Sequence, residues 1–222
     1  MMMVSGAEKK AERPKKPSRR EVRQRAILEA ANALFLEKGY GATNLTDIVK
    51  VSGGSLATLY ELFGGKAGLF RAMIEKECAE FFEFLESEIP SGLPPEETLR
   101  AFATRFVEEA FADEGGSLMR LIAAEAVQFP EIGVDFYNAG PAAAQHMIAE
   151  FLRKDFWSGV LSIDDPDEAA ATLVAMLFHH YQMRQICGLP LNLTRAAIDR
   201  HVDRVIAAFM KVYRTAEKFP SA

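Results

Sequence analysis

TDIVKVSGGSLATLYELF, residues 46–63, reads as two short helices joined by a glycine turn. Thr46 is an expected N-cap, and Asp47 falls in the first turn, where the helix dipole favours negative charge. Ile48, Val49 and Val51 are expected to form the apolar face of a helix that Gly53 and Gly54 stop. Ser55 is placed to cap a second helix from Leu56 to Phe63, with Leu59, Leu62 and Phe63 at i, i+3 and i+4. Two helices around a tight glycine turn make a helix-turn-helix, whose second helix is shaped for the DNA major groove. The same spacing also suits an ordinary corner in a helical core, so the flanks matter.

Upstream runs RAILEAANALFLEKGYGAT, residues 25–43, and downstream GKAGLF, residues 65–70. Together these segments resemble the N-terminal DNA-binding domain of the TetR (tetracycline repressor) family of bacterial transcriptional regulators. The resemblance rests on Arg25, Ile27, Leu28, Ala30, Ala31, Leu34, Phe35, Gly39, Tyr40 and Thr43, then Ile48, Gly53, Ser55, Thr58, Leu59, Tyr60, Phe63, Lys66 and Leu69. It covers about the first third of the chain without gaps. Gly54, Ala57 and the Glu61-Leu62 pair depart from the family pattern, which bears on base preference more than on fold.

The resemblance implies an all-α protein: a three-helix DNA-binding domain followed by a larger helical domain for effector binding and dimerisation. The expected divisions are a basic arm over residues 1–18, the helix-turn-helix domain over 19–65, and the effector and dimer domain over 66–222. Leu56, Ala57, Thr58 and Leu62 are the candidates to approach base edges. For Leu56 and Ala57 this means apolar contact, for instance with a thymine methyl. Phosphate positioning is expected of Thr43, Ser55, Thr58, Tyr60 and Lys66, with Arg19, Arg20 and Arg23 adding charge. The second helix holds no Arg, Asn or Gln, so DNA shape or the basic arm is expected to contribute to recognition.

Composition agrees with this division. The chain has 222 residues, 49% hydrophobic and 26% charged, ordinary for a globular protein with a sizeable core. Net charge is −5, but residues 1–75 carry 13 Lys/Arg against 8 Asp/Glu, and the rest 13 against 23. A basic end on an acidic body suits a molecule with one end facing phosphate. No apolar run of about eighteen residues occurs, and the start lacks the apolar core of a secretory signal, so a cytoplasmic protein is expected. Cys78 and Cys187 are too few and too far apart for a disulfide framework.

Within the arm, Lys9, Lys10, Arg13, Lys15 and Lys16 surround Pro14 and Pro17, which reads as a disordered segment that either reaches phosphates or a minor groove or serves only as a solubilising tail. A first helix is expected from Ser18 or Arg19 to about Lys38, buried along Ile27, Ala30, Ala31, Leu34 and Phe35. A long helix should run from Lys66 to about Glu88, with Lys66 at its first turn favouring a phosphate. A P-loop is excluded there, since Tyr60 stands for its first glycine and Ala67 for its Ser/Thr. The Pro90 to Pro95 segment breaks the chain. Helices are expected near 95–112, 117–128 and 130–155, the last kinked at Gly140-Pro141.

Sixteen Phe and nine Met make the body soft and aromatic, which suits either plain core or a pocket for apolar ligands. Phe106, Met119, Phe136, Met147, Met176, His179 and Met183 are the candidates to line such a pocket. A helix from about Pro166 to Gly188 is apolar on two faces, and the last helix repeats Ile198, Val202, Val205, Ile206 and Phe209. Excess apolar surface there suggests a dimer interface through Leu173, Leu177, Tyr181, Val202, Val205 and Phe209; the alternative is burial within one subunit. A two-fold dimer would set two recognition helices ~34–36 Å apart, one DNA turn, against a palindromic or near-palindromic operator.

Catalytic and metal motifs are lacking. His179 and His180 diverge by about 100° on a helix, and no HExxH, CxxC, nucleophile elbow or dinucleotide glycine motif occurs. Asp164, Asp165 and Asp167 read as capping residues around Pro166, not a Ca²⁺ loop. No cofactor, metal or enzyme activity is expected. The expected function is a homodimeric regulator, more often a repressor, that a small apolar effector releases from DNA. A ligand-binding or enzymatic helical protein and a non-specific architectural DNA protein are the alternatives.

Overall fold

The computed structural model describes residues 18–87, 92–154, 160–191 and 193–214. The basic arm before Ser18, and Pro90 and Ser91 of the expected break, lie outside the described residues. Among the described residues the chain is helical throughout, with only one isolated bridge, Leu161 to Arg214.

Helix α1 (Arg19–Lys38) begins at a capping box: Ser18 Oγ accepts from the Glu21 N–H at 3.2 Å, and the Glu21 carboxylate accepts from the Ser18 N–H at 2.6 Å. Its stripe of Ile27, Ala31, Leu34 and Phe35 is buried. Helix α2 (Leu45–Ser52) starts one residue before Thr46, with Asn44 at the N-cap position and no side-chain cap bond, so Thr46 lies inside the first turn. Ile48 is fully buried, but Val51 is 65% exposed, because eight residues bury only the side that meets α1. Gly53 then turns the chain at φ 73°. Ser55 caps α3 (Leu56–Phe63), its hydroxyl accepting from the Thr58 N–H at 3.1 Å.

Helix α4 (Lys66–Ser87) is the long connector. Its first half, Leu69, Phe70, Met73 and Ile74, completes the core of α1 to α3, while Leu85 joins a second core. That first core also takes in Leu121 and Ile122 of α6 (Asp113–Glu125) and Ile132 of α7 (Pro130–Tyr137). Residues Asn138–Ala142 form a π-helical turn around Pro141, which lacks an N–H to donate, before α8 (Ala143–Leu152) resumes. The expected kink is therefore a widened turn.

The second core packs α5 (Pro95–Ala110), α8, α9 (Pro166–Ile186) and α10 (Arg195–Tyr213) together. Pro166 is the first residue of α9, where Asp165 caps it by accepting from the Asp167 and Glu168 N–H groups. Leu173, Leu177, Tyr181, Val202, Val205 and Phe209, expected at a subunit interface, all lie inside this core. That expectation is corrected: α9 and α10 turn these faces toward α5, α8 and each other.

His201 lies in this layer, its Nε2 2.9 Å from the Leu177 carbonyl and its ring against Tyr181 at 5.0 Å. Burial, with Arg204 and His180 beside it, lowers its pKa below the ordinary value of 6.5. The folded chain thus favours the neutral ring, and the unfolded chain binds the extra proton. Stability is complete above the ordinary value and falls as pH drops through the folded-state value. Urea midpoints at pH values either side of 6.5 should diverge less in His201→Gln than in the parent.

Candidate nucleic-acid interface and effector cavity

The reading helix exposes a narrow strip. Leu56 is 37% and Tyr60 54% exposed, and Ala57 and Glu61 share this surface. Thr58 is half-buried, its hydroxyl 3.0 Å from Ser55 Oγ, so both hydroxyls lie at the helix N-terminus. Leu62 packs on the head core, which removes it from the base-facing set. Arg19 and Arg20 are exposed at the start of α1, and Arg20 reaches Glu61 at 4.0 Å.

Three expected phosphate contacts have other partners. Thr43 is 1% exposed, and its hydroxyl donates to the Leu34 and Gly39 carbonyls at 3.1 and 2.7 Å. It fastens the end of α1 and is not presented to solvent. Arg23 donates to the Ser52 carbonyl at 3.0 Å and lies along Gly53 and Gly54, so it clasps the turn of the helix-turn-helix. Lys66 donates to the Gly41 carbonyl at 3.1 Å with its ammonium 4.7 Å from the centre of the Tyr40 ring. Burial lowers its pKa, opposed by Glu125.

These contacts form a latch between head and body. The Tyr40 ring packs edge-on against Phe70 at 5.0 Å and against Phe129, just before α7, at 4.8 Å. Glu125, the last residue of α6, accepts from the Gly41 N–H at 3.4 Å, and Arg71 of α4 pairs with Asp135 of α7 at 2.9 Å. Sequence periodicity carried no sign of Glu125 or Phe129 in this role.

Behind the latch lies a cavity of about 650 Å³. Glu77, Glu80, Phe81 and Phe84 of α4 form one wall, at the i, i+3, i+4 and i+7 spacing of a single helix face, with Cys78 beside them. Phe106 and Glu109 of α5, Phe111, and Val174 and Phe178 of α9 form another. Asn32 and Leu36 of α1 reach it from the head, and Phe136 and Pro141 border the π-turn. Phe178 is the aromatic centre, 4.7 Å from Phe106 and 5.0 Å from Phe111, ring to ring.

Of the expected lining residues, Phe106, Met119, Phe136 and His179 are present. Met147 and Met176 pack on the body core instead, and Met183 is 47% exposed on the outer face of α9. Burial pushes the Cys78 thiol up to about 11, Glu77 adding to the effect, so it is protonated at neutral pH. A second cavity of about 610 Å³ between α9 and α10 is basic, lined by His180, Arg184, Arg200, His201 and Arg204.

The order of these parts matches known proteins. Residues 27–73 match the family profile for bacterial regulatory proteins of the tetR family. Residues 97–215, over half of the chain, match that of the AefR-like transcriptional repressor C-terminal domain. The chain belongs to the TetR family. A TetR-family transcriptional regulator from Mesorhizobium loti superposes with a TM-score of 0.79 at 27% identity, covering 90% of this chain and 100% of that one. The flavonoid-responsive regulator FrrA superposes with a TM-score of 0.72 at 32% identity, covering 86% and 97%.

Among curated proteins, the transcriptional repressor ComR of Escherichia coli (strain K12) is 39% identical over 64 residues, 29% of this chain and 30% of ComR. The repressor BdcR of the same strain is 28% identical over 126 residues, 55% of this chain and 64% of BdcR. The match therefore spans less than two thirds of either curated relative. ComR and BdcR are both helix-turn-helix-type transcriptional repressors. No helix among the described residues is long and apolar enough to cross a membrane.

Proposed function

We propose that this TetR-family member is a cytoplasmic, homodimeric repressor that leaves its operator when a small, largely apolar aromatic molecule fills the cavity. It acts by binding and not by catalysis. Residues 19–65 form the reading head and residues 66–222 the effector and dimer body. The observation that carries this reading is the cavity's position: its walls include α1 and α4, which belong to the head core, together with α5, α8 and α9 of the body. A ligand that prefers one spacing of these helices shifts the population of head positions by its differential affinity. The flavonoid-responsive relative supports an aromatic effector.

Dimerisation is assigned to the outer faces of α9 and α10, where Met183, Ile186 and Val212 are exposed at 47, 51 and 70%. DNA contact is assigned to Leu56, Ala57, Tyr60 and Glu61 for bases. Arg19, Arg20 and the Ser55–Thr58 N-terminus of α3 contact phosphate. Glu61 is the addition the exposed surface supplies, since a carboxylate can accept from cytosine N4.

The deciding experiment compares binding to duplex DNA from immediately upstream of the gene with binding to a scrambled duplex, across several salt concentrations. The upstream duplex should bind at least about a hundredfold tighter. Tyr60→Ala should weaken that binding, and Glu61→Ala should tighten binding to both duplexes while narrowing the gap between them. Equal binding of the parent protein to both duplexes would show a non-specific DNA protein.

A further inference from the structure

We propose that the cavity takes an aromatic cation, a ring-bearing molecule with a protonated amine, and excludes carboxylates and phosphates of the same shape. The inference rests on the effector reading above and adds the charge of the ligand to it. Three carboxylates line the cavity, Glu77, Glu80 and Glu109, and among the described residues its lining holds no Lys or Arg.

Two cations touch this lining from outside it. Lys76 lies outside the lining, with Nζ 3.4 Å from Glu77 Oε1 and 2.8 Å from Glu80 Oε2. It can offset one of those two charges. Arg105 pairs with Glu108 at 3.2 Å and lies 6.0 Å from the centre of the Phe84 ring. Glu109 forms no ion pair within 4.0 Å among the described residues. It lies three residues beyond Phe106 on α5, so carboxylate and ring share one helix face.

Two forces then act together on a bound cation. The faces of Phe106, Phe111 and Phe178, packed ring to ring, attract positive charge through their quadrupoles. The Glu109 carboxylate supplies a charge-assisted hydrogen bond to an N–H donor. An anion meets the reverse on both counts: repulsion from the carboxylates and no cationic partner to replace its hydration. The basic groove between α9 and α10, by contrast, is where this body concentrates positive charge.

The test uses three probes on one ring system, naphthylethylamine, naphthylethanol and naphthylacetate, titrated calorimetrically into the full-length protein. The amine should bind at least about tenfold tighter than the alcohol, a difference of about 1.4 kcal/mol, and the acetate should bind most weakly. Glu109→Gln should bring the amine down toward the alcohol, and Glu109→Asp should restore part of the gap. If the alcohol or acetate binds as well as the amine and Glu109→Gln leaves the ratio unchanged, the charge inference is overturned while the cavity stands as an effector site. If no probe binds, and bulky Val174→Trp leaves effector response in cell extract intact, the effector reading fails and this inference with it.

Discussion

Gly68→Ala is expected to break the DNA-reading head. A Cβ on Gly68 would lie 1.9 Å from the Phe63 carbonyl oxygen and 3.1 Å from its carbon. That oxygen is backbone at the last residue of α3, so no rotamer change relieves the clash. Either α4 must shift away from α3 or the end of α3 must unwind. Both outcomes disturb Leu59, Leu69 and Phe70, which are fully buried. The expected loss is about 3 kcal/mol, at the upper end for overpacking, together with loss of specific duplex binding. Gly140→Ala is the control, since its Cβ would meet nothing nearer than Cys78 Sγ at 3.5 Å. Thermal unfolding followed by circular dichroism, with duplex binding on the same samples, checks both. A Gly68→Ala protein as stable and as specific as its parent would show that α3 and α4 do not pack this closely.

Phe209→Ala is expected to destabilise the body by about 3–5 kcal/mol, the usual range for emptying a buried phenylalanine site. Phe209 is fully buried, and its ring lies 4.7 Å from that of Tyr213. Its loss opens a void between α10 and the helices around it. Ile186→Glu makes the informative contrast, because Ile186 is 51% exposed at the end of α9. A glutamate there should shift the oligomeric state toward monomer and leave the helical content intact. Denaturant midpoints and sedimentation at matched protein concentrations separate the two. A Phe209→Ala chain that only dissociates, with an unchanged midpoint, would return that residue to the interface.

The latch gives the effector reading its mechanical content. Gly41 is held from both sides, its N–H by Glu125 and its carbonyl by Lys66. Movement of α6 or of the start of α4 is thus passed to the loop that carries α2. Gly39 is part of the same junction. Its φ of 84° suits glycine, and a Cβ there would meet Glu125 Oε1 at 2.5 Å. Coupling of effector and DNA binding requires an element with two arrangements that both ligands bias.

Local rules placed most helix ends. The start of α1 at Ser18, the Ser55 cap, Asp165 before Pro166 and Gly53 after Ser52 were legible because a cap involves only a few consecutive residues. Thr46 was misplaced by the same logic, since Asn44 sits at the start of α2 without a side-chain bond and the helix is held instead by Ile48 against α1. Half of the cavity was legible in the Phe and Met content of the body. Glu77 and Glu109 were not, because a glutamate among aromatics on an amphipathic helix reads as an ordinary solvated face until the facing wall is known.

The sequence by itself determined the all-α class, the helix-turn-helix, the TetR resemblance and the contrast between basic head and acidic body. These depend on short-range spacing and composition, which the chain carries in every conformation. Tertiary structure alone decided which apolar face of α9 and α10 is core and which is free. It also turned Thr43, Arg23 and Lys66 inward onto carbonyls and closed seven α-helices around one cavity. Each of those outcomes depends on what lies opposite a side chain, and periodicity specifies a face without naming its partner.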